Sequence, residues 1–455
     1  MSGLEAWQSD ASNRLKFTDT LAVMTEHLLM PDFKTEPYWW TNAPRPAREE
    51  IKLPDEIDVV VIGSGYTGLH AALQTARGGL GTLVLEAESL GFGCSSRNGG
   101  QVSTSVKGSY SSLSKQYGHN QAVSLLQEGI SALEFLDHFI REEDLDCAWQ
   151  RNGRFSGAHN AAAYNAMARD LSALPPEVAV NWHMVPRSDQ HSEIGSDLYH
   201  GGVVYPDHGA LDPGRYHLEL LDRTCSAGAI AIGHCPVIRI EKMGRGYLVH
   251  TAKGHIKAKH VAIATNGYTS DTTPWMQRRI IPIGSYVIAT EPLPEATATG
   301  ISPHNRVMSD SRKLVFYYRL SPDKRRVIFG GRVALSETNP RKSAPALHGA
   351  MCKIFPQLTS TRISHSWLGF VAYTFDTLPH IGEHKGVHFS MGYCGSGISL
   401  ASYCGSIMGR RICGQDDSGS AFLEQAFQTR PLYTGNPWFL EPSVLYYKLR
   451  DQLNI

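Results

Sequence analysis

Residues 58–69 read Asp58-Val-Val-Val-Ile-Gly63-Ser64-Gly65-Tyr66-Thr67-Gly68-Leu69, and this stretch decides the fold. An apolar strand leads into the pattern Gly-x-Gly-x-x-Gly, a helical run follows, and a second apolar segment ends at Glu86. In such a unit the first glycine permits a tight turn, the second lets the backbone approach a pyrophosphate, and the third lets the helix pack on the strand. The N-terminus of the helix then presents free N–H groups to the phosphates.

Glu86 narrows the class of nucleotide. At the end of the second strand, a carboxylate can accept hydrogen bonds from ribose hydroxyls. It would repel a 2′-phosphate, so the pattern predicts FAD or NAD and disfavours NADP. A glycine-rich turn alone is common, but the strand before it, the helix after it and the acid at this distance together favour a dinucleotide site.

Composition excludes several other classes of protein. The chain has 455 residues, a formal net charge of zero and 19% charged residues, which argues against a nucleic-acid or anionic-membrane surface. Its eight cysteines show neither zinc nor redox spacing, so we expect free thiols, a reducing compartment and no bound metal. No signal pattern and no apolar run of about 18 residues is present, which predicts a cytoplasmic protein without a membrane span.

Two further loops are rich in groups that bind a cofactor. Residues 93–101 combine hydroxyls, an arginine, an amide and glycines, which suit a phosphate or the polar edge of a flavin. Residues 392–399 lead into an apolar helix whose N-terminus could stabilise an anionic reduced flavin. Because strand-like segments at 236–264 and 285–332 separate these motifs, a flavoprotein is favoured over an NAD-linked dehydrogenase, which stays as an alternative.

In this order and spacing, the motifs resemble those of the FAD-dependent oxidoreductases of the D-amino-acid oxidase superfamily. This superfamily includes glycine oxidase and sarcosine oxidase. The branch that the chain most resembles is the γ-glutamylputrescine oxidoreductases, which share an aromatic leading arm, the Gly63–Leu69 fingerprint and the loop Arg97-Asn-Gly-Gly-Gln101. The resemblance covers about residues 37–415. It implies an FAD-dependent amine oxidase or dehydrogenase that acts on CH–NH or CH–NH2 donors and takes part in polyamine catabolism.

The resemblance also implies a fold and its division into domains. It is a two-domain α/β flavoprotein of the glutathione-reductase type 2, with a Rossmann-like FAD-binding domain and a mixed, largely antiparallel β-sheet substrate domain. We expect an N-terminal arm over residues 1–54 that packs on the body of the protein. The FAD-binding domain would take residues 55–148, 206–284 and 364–455, and the substrate domain residues 149–205 and 285–363.

By the same resemblance, one set of residues would hold noncovalent FAD, from the diphosphate at the first glycine turn to the pyrimidine ring at the last. These are Gly63, Ser64, Gly65, Tyr66, Thr67, Gly68, Glu86, Ala87, Ser95, Ser96, Arg97, Asn98, Gly99, Gly100, Gln101, Val237, Thr265, Gly395, Ser396, Gly397 and Ile398.

Two departures from the family pattern concern the substrate and the cofactor link. Glycine oxidase-like members have an arginine that clamps the substrate carboxylate at the position of Val371, so a small α-amino acid is disfavoured here. Sarcosine oxidases attach FAD through a cysteine in this neighbourhood, but residues 365–385 contain none. We therefore expect noncovalent FAD.

The substrate side is less defined, because the flavin carries the chemistry and no catalytic side chain stands out. The candidates for substrate contact lie on the strands expected to roof the flavin. They are Tyr286, Tyr317, Tyr318, Arg319, Arg332, Trp367, Val371, Tyr373 and His380.

The expected reaction is hydride transfer from a neutral amine to the flavin. The imine formed then hydrolyses to an aldehyde and ammonia or a smaller amine, and O2 is reduced to H2O2. Two alternatives stay open: a D-amino-acid or imino-acid dehydrogenase that passes electrons to a quinone, and a noncatalytic FAD-bound interaction subunit.

Overall fold

A computed structural model describes residues 27–47, 51–332, 338–415, 419–423 and 425–453. The strands are β1 (Leu29–Lys34), β2 (Glu56–Ile62), β3 (Thr82–Leu85), β4 (Gln101–Val102), β5 (Arg154–Gly157), β6 (His183–Val185), β7 (Gly202–Tyr205), β8 (Gly209–Ala210), β9 (Ile230–Ile232), β10 (Val237–Met243), β11 (Gly246–Thr251), β12 (Gly254–Ile263), β13 (Ile281–Thr290), β14 (Val307–Asp310), β15 (Tyr317–Leu320), β16 (Val327–Gly331), β17 (Ile363–Tyr373), β18 (His380–His384) and β19 (Val387–Met391). The α-helices are α1 (Tyr66–Arg77), α2 (Tyr110–Tyr117), α3 (His119–Glu142), α4 (Ala161–Ser172), α5 (Pro213–Ser226), α6 (Pro274–Gln277), α7 (Glu295–Ile301), α8 (Pro340–Ile354), α9 (Gly397–Ile412) and α10 (Leu440–Leu453).

The first sheet has eight strands and a parallel centre. Strands β9, β3, β2, β12 and β19 lie side by side in parallel, while β10, β11 and β18 pair antiparallel at its margins. Val59, Val60 and Val61 of β2 are fully buried, because the parallel centre is covered on both faces. The carboxyl ends of β3, β2, β12 and β19 consequently share one edge, the position where ligands bind in open α/β sheets.

Two helices pack closely beside this sheet because α9 offers glycines to α1. A Cβ at Gly405 would lie 2.4 Å from the carbonyl oxygen of Thr67, and one at Gly409 would lie 2.6 Å from that of Ala71. Since both pairs advance four residues in the same direction, α9 runs parallel to α1, and its N-terminus extends about two turns, roughly 10 Å, beyond that of α1. This extension carries the first turn of α9 toward the ligand-binding edge of the sheet.

The second sheet has nine strands in the order β1-β17-β13-β16-β15-β14-β5-β7-β6. Its pairs are antiparallel except β1 with β17 and β14 with β5. One face packs on α8 through a core that includes Tyr286, Phe329 and Leu347. Both kinds of sheet that the sequence predicts are therefore present.

The N-terminal arm and strand β17 both belong to the nine-stranded sheet. The described part of the arm supplies β1 to the nine-stranded sheet, so it packs on the body of the protein. Strand β17 also belongs to that sheet, whereas the prediction places residues 364–373 in the FAD-binding domain. The remaining domain boundaries stay a prediction. Within the described ranges, no helix combines the length and apolar character needed to cross a membrane.

Candidate functional site

A cavity of about 1200 Å³ lies along the carboxyl ends of the central parallel strands. Glu86 after β3, Gly63 after β2, Thr265 after β12 and Gly395 after β19 all line it, and strands of the nine-stranded sheet form its roof. Ordinary small-molecule sites occupy about 300–1,000 Å³. The cavity is thus large enough for an extended cofactor and a substrate together.

The turn after β2 leaves its backbone open to the cavity. Gly63 has φ +104°, and a Cβ there would lie 2.8 Å from the carbonyl oxygen of Ala264. Gly65 caps α1 without a side-chain hydrogen bond, while Ser95 Oγ accepts from Tyr66 N at 2.9 Å. Ser95 occupies one N–H of this first turn, and because Gly65 has no side chain to cap the others, the helix N-terminus fits a diphosphate.

Glu86 is oriented by the same turn. Its Oε2 accepts hydrogen bonds from Ser64 N at 3.1 Å and from Ser64 Oγ at 2.8 Å. Glu88 N approaches Oε1 at 3.3 Å. Because a carboxylate has about four lone-pair positions, Glu86 retains acceptor capacity toward the cavity, as binding of ribose hydroxyls requires.

His217 supports the backbone of the glycine turn that follows β2. No motif in the sequence indicated this histidine. Its Nε2 lies 2.7 Å from the carbonyl oxygen of Ser64, and its Nδ1 lies 3.0 Å from Arg45 Nη1. Burial, followed by the Arg45 charge, lowers the pKa of His217 to about 3. The imidazole is therefore neutral, and its partners assign the proton to Nε2, which donates to Ser64. His217 is a positioning residue for the glycine turn.

Aromatic residues distant in sequence hold the second loop, residues 93–101. Trp39 Nε1 donates to the carbonyl oxygen of Asn98 at 2.8 Å, Trp40 Nε1 to Ser96 Oγ at 2.9 Å, and Trp367 Nε1 to the carbonyl oxygen of Arg97 at 2.7 Å. The Arg97 guanidinium also stacks over Trp40, 4.6 Å from the ring centre. The N-terminal arm thereby fixes a loop of the cavity wall.

Most of the residues expected to hold FAD are brought together at the cavity. Those that line it are Gly63, Gly65, Tyr66, Thr67, Glu86, Ala87, Ser95, Arg97, Asn98, Gly99, Gln101, Val237, Thr265, Gly395, Ser396, Gly397 and Ile398. Four others, Ser64, Gly68, Ser96 and Gly100, are not among the lining residues. They are buried behind the wall and shape its loops. Direct contact of each residue with FAD stays a prediction.

The candidates for substrate contact divide into two groups. Tyr317, Arg332, Val371 and Tyr373 line the cavity. The others do not line it and are buried in the protein: Tyr286, Tyr318, Arg319, Trp367 and His380.

The buried group has structural partners that explain its position. Tyr318 donates to the Tyr199 hydroxyl at 2.8 Å, and Arg319 Nη1 donates to the carbonyl oxygen of Gly100 at 3.0 Å. His380 lies 3.1 Å from Asp376 Oδ1 and stacks on Phe427. These contacts indicate structural roles, so the substrate surface is narrower than the sequence suggested.

Cationic side chains that the motif analysis did not identify also line the cavity. Lys107, Arg154 and Lys313 come from a loop, from β5 and from the segment between β14 and β15. No local pattern links them, because only the tertiary fold brings these three segments together. Two thiols, Cys94 and Cys394, line the cavity as well, and burial raises the pKa of each to about 11.

Comparison with known proteins agrees with this geometry. Residues 58–411 match the family model described as DAO, FAD dependent oxidoreductase. The γ-glutamylputrescine oxidoreductase of Escherichia coli (strain K12) is 30% identical over 423 residues, 88% of this chain and 93% of that protein. A probable oxidoreductase of Haemophilus influenzae, OrdL, is 30% identical over 413 residues, with the same two coverages of 88% and 93%.

Solved structures share the fold at lower identity. Glycine oxidase from Geobacillus kaustophilus superposes with a TM-score of 0.69 at 16% identity, covering 83% of this chain and 99% of that one. L-proline dehydrogenase from P. horikoshii gives a TM-score of 0.66 at 18% identity, covering 86% and 99%. These likenesses confirm the predicted fold class.

The predictions of family, cofactor and enzyme class are confirmed together. The family model spans most of the chain, and the glycine turn, the oriented carboxylate and the open helix N-termini fit the adenine dinucleotide that this family uses. The chain belongs to the DAO family of FAD-dependent oxidoreductases, enzymes that use FAD to oxidise CH–NH or CH–NH2 groups of amines and amino acids.

Proposed function

We propose that this enzyme oxidises the C–N bond of an amine of the γ-glutamylputrescine type, producing an imine that hydrolyses to an aldehyde and ammonia or a smaller amine. Two findings support the proposal. A relative named for that substrate is 30% identical over 88% of this chain. Val371, a cavity residue, stands where glycine oxidase-like sequences have the arginine that clamps an α-carboxylate.

The wall around Val371 is the observation that carries the proposal. Val371 pairs with Ile283 across β17 and β13, and both line the cavity together with Tyr317 and Tyr373. The Tyr317 hydroxyl lies 2.9 Å from Ser285 Oγ. Because the side chains of Val371, Ile283, Tyr317 and Tyr373 are uncharged, this part of the wall suits the apolar methylenes beside an amine better than the carboxylate of a small α-amino acid.

FAD, when bound, would accept a hydride, which carries both electrons of the reaction. The chain's own residues would prepare the amine for that transfer. Burial in the cavity disfavours the ammonium form, so the wall lowers the pKa of the substrate nitrogen. Burial also raises the pKa of Tyr317 and of Tyr373, so both hydroxyls stay protonated and can donate to a neutral amine. No side-chain base is needed once the amine is neutral.

The first turn of α9 would provide electrostatic support for the same step. Gly395, Ser396 and Gly397 line the cavity, and Ser396 at the N-cap makes no side-chain cap hydrogen bond. Uncapped N–H groups at a helix N-terminus stabilise negative charge. This arrangement would favour electron acceptance at the adjacent end of the cavity.

Noncovalent attachment of FAD belongs to the same proposal. Because burial raises the pKa of Cys94 and Cys394 to about 11, both are thiols at neutral pH, and a thiol is a weak nucleophile. Acid precipitation of the holoenzyme should release all the flavin into the supernatant. Flavin retained in the protein pellet after denaturation would contradict this.

Arg332 favours a second candidate function. It is 8% exposed, lines the cavity and donates through Nη1 to the carbonyl oxygen of Gly284 at 2.9 Å. A guanidinium there could bind an amino- or imino-acid carboxylate from a position other than 371. An amino-acid or imino-acid dehydrogenase that uses a quinone is therefore the alternative.

The cytoplasmic location stays a prediction.

The test is anaerobic bleaching of the enzyme-bound flavin. We expect γ-glutamylputrescine to bleach it, with D-amino acids, proline and N-methylated amino acids much slower. Bleaching by α-amino or imino acids alone would overturn the proposal in favour of the alternative. Formation of H2O2 during aerobic turnover would identify O2 as the acceptor, whereas turnover only with a quinone or dye would identify a dehydrogenase.

A further inference from the structure

The charged groups of the cavity are distributed unevenly. Two of its three acidic lining residues in the described chain, Glu86 and Glu88, follow β3 at the end where the adenosine ribose is expected. The third, Asp310, forms an ion pair with Arg312. Among the other cationic lining residues, Arg97 donates to the carbonyl oxygen of Phe92 and stacks on Trp40, and Arg332 donates to that of Gly284. Lys107, Arg154 and Lys313 also line the cavity, and no carboxylate lies within ion-pair distance of them among the residues that the structure describes.

These cations lie toward the end of the cavity formed after β19. Arg154 Nη2 donates to Ser309 Oγ at 2.6 Å and its Nε donates to the same oxygen at 3.1 Å, so its bonded partner is a neutral hydroxyl. Burial lowers the pKa of Lys107, and the nearby charges of Arg154 and Lys313 lower it further, while Cys394 after β19 opposes them. Ser399 Oγ, in the first turn of α9, donates to the carbonyl oxygen of Ser103 in the loop of Lys107, and Gln101 Nε2 donates to that of Met308 in β14. Because β14 pairs with β5, which carries Arg154, and leads into the segment of Lys313, the three cations come from segments that meet at the end of the cavity formed after β19.

The segment that carries Lys313 is held in place by the C-terminal helix. Asp451 of α10 accepts hydrogen bonds from the backbone N–H groups of Lys313 at 3.1 Å and Leu314 at 3.2 Å. Val444 and Tyr447 of the same helix line the cavity. The segment that carries Lys313 is consequently a fixed part of the cavity wall, held there by contacts with α10.

We propose that Lys107, Arg154 and Lys313 form an anion subsite that binds a carboxylate at the far end of the amine substrate. The subsite is separate from the glycine turn between β2 and α1, beside Glu86, where the diphosphate of FAD is expected to bind. It assigns the substrate to amines that carry a remote carboxylate, such as an amino-acid conjugate of a diamine. A free diamine is disfavoured, because its second ammonium would face three cations with no carboxylate beside it, whereas the α-ammonium of a glutamyl group is accompanied by its carboxylate.

This inference rests on the proposed function for the identity of the amine, and it accounts for the neutral wall at Val371. Two separate requirements arise from the two ends of one substrate. The reacting amine needs a neutral, desolvating surface, whereas the distant carboxylate needs unpaired cations. A chain of methylenes and an amide would span the distance between them.

The kinetic test compares two substrates with and without the charged glutamyl end. We expect kcat/KM for γ-glutamylputrescine to exceed that for N-acetylputrescine, which keeps the amide and the amine but lacks the carboxylate together with the α-ammonium and methylenes next to it. Lys107→Met should lower kcat/KM for γ-glutamylputrescine roughly ten- to hundredfold, the usual effect of losing one charged hydrogen-bond partner, and leave N-acetylputrescine unchanged. Lys115→Met, at an exposed position of α2, is the matched control.

A binding measurement separates this proposal from the proposed function. Glutarate, a dicarboxylate with no amine, should perturb the flavin spectrum of the holoenzyme, and Lys107→Met should abolish the change. If the enzyme oxidises neither amine but still binds glutarate through Lys107, the proposed function fails and the subsite stands.

Three results would overturn the subsite. Equal kcat/KM for the two wild-type substrates would show that the carboxylate is not bound. An equal loss for both substrates in Lys107→Met would indicate a structural effect. Slower reoxidation of the reduced flavin by O2 in Lys107→Met, with unchanged glutarate binding, would assign the lysine to the oxygen reaction instead.

Discussion

The indole Nε1 of Trp39 donates a 2.8 Å hydrogen bond to the backbone carbonyl of Asn98, joining the N-terminal arm to the wall of the FAD cavity. Trp39 is fully buried, whereas Asn98 is partly buried and lines the cavity. In Trp39→Phe, we expect weaker FAD retention, by up to about tenfold in the dissociation constant, because loss of the hydrogen bond that positions this wall residue costs about 0.5–1.5 kcal/mol. Flavin fluorescence on dilution measures this. Trp438→Phe, at a side chain that is 65% exposed, should retain wild-type affinity, and equal loss in both variants would contradict the prediction.

Glu86 should govern FAD affinity without being needed for folding. Glu86→Gln removes the charge that accepts from Ser64 and faces the cavity. We expect FAD affinity to fall about tenfold or more, since hydrogen bonds to charged groups contribute about 1.5–3 kcal/mol. Calorimetric titration of the apoenzyme with FAD measures the change. Glu88→Gln is the control, because Glu88 lines the same cavity as an exposed residue. A larger effect at Glu88 than at Glu86 would overturn the assignment.

His217 should make stability fall as the solution becomes acidic. The unfolded chain protonates histidine below about pH 6.5. In the folded enzyme the pKa of His217 is lowered to about 3. Between these values the unfolded state binds more protons, so the free energy of unfolding falls as pH falls, by up to about 1.4 kcal/mol per pH unit for this residue.

His217→Gln isolates this effect, because its amide can still donate to Ser64 and accept from Arg45 without titrating. Urea unfolding at pH 6.5 and at pH 4.5 should show a smaller loss of stability in the variant than in the wild type. His138→Gln, at an exposed histidine of α3, should leave the wild-type loss unchanged. The same pH dependence in all three proteins would contradict the prediction.

Val371→Arg should move specificity toward α-amino acids. A guanidinium at this position would place a carboxylate-binding group beside the reacting amine and would remove apolar surface there. We expect kcat/KM for γ-glutamylputrescine to fall and flavin bleaching by glycine or sarcosine to appear. Val371→Leu keeps the wall apolar and should retain the original preference. No change of preference in Val371→Arg would mean that position 371 does not contact the substrate.

Asp451 should affect substrate binding more than chemistry. Asp451→Ala removes the acceptor for the backbone N–H groups of Lys313 and Leu314 and loosens the cationic wall. We expect KM for γ-glutamylputrescine to rise several-fold while kcat stays near the wild-type value. Asp451→Asn, which keeps an acceptor oxygen, should restore most of the loss. A fall in kcat at constant KM would contradict this role.

The glycine fingerprint could be interpreted from sequence because its chemistry is local. The turn at Gly63, the helix after it and the acid at position 86 each have a short-range physical reason. The roof strands could not be read in the same way, because side chains alternate between the two faces of a sheet. Ser285 and Tyr317 face the cavity, whereas their neighbours Tyr286 and Tyr318 face the core. The residue types alone did not show which face of each strand lines the cavity and which face packs in the core.

Residues brought together only by the fold gave no signal in sequence. Lys107, Arg154 and Lys313 lie in segments more than forty positions apart, and none belongs to a motif. His217 lies within an ordinary amphipathic helix, α5. Their placement depends on how the two sheets meet, so a single sequence contains no short-range pattern from which it could be inferred.

The short strand β1 has a consequence for how the chain behaves in solution. It pairs in parallel with β17, an 11-residue strand, and so occupies the outer position of the nine-stranded sheet. With Pro31, Asp32 and Lys34, β1 is a poor template for a further strand. A chain shortened before residue 51 would present the unpaired edge of β17 instead, and we expect it to self-associate edge to edge. We therefore expect the arm to prevent aggregation at this sheet edge, in addition to supporting the loop of residues 93–101.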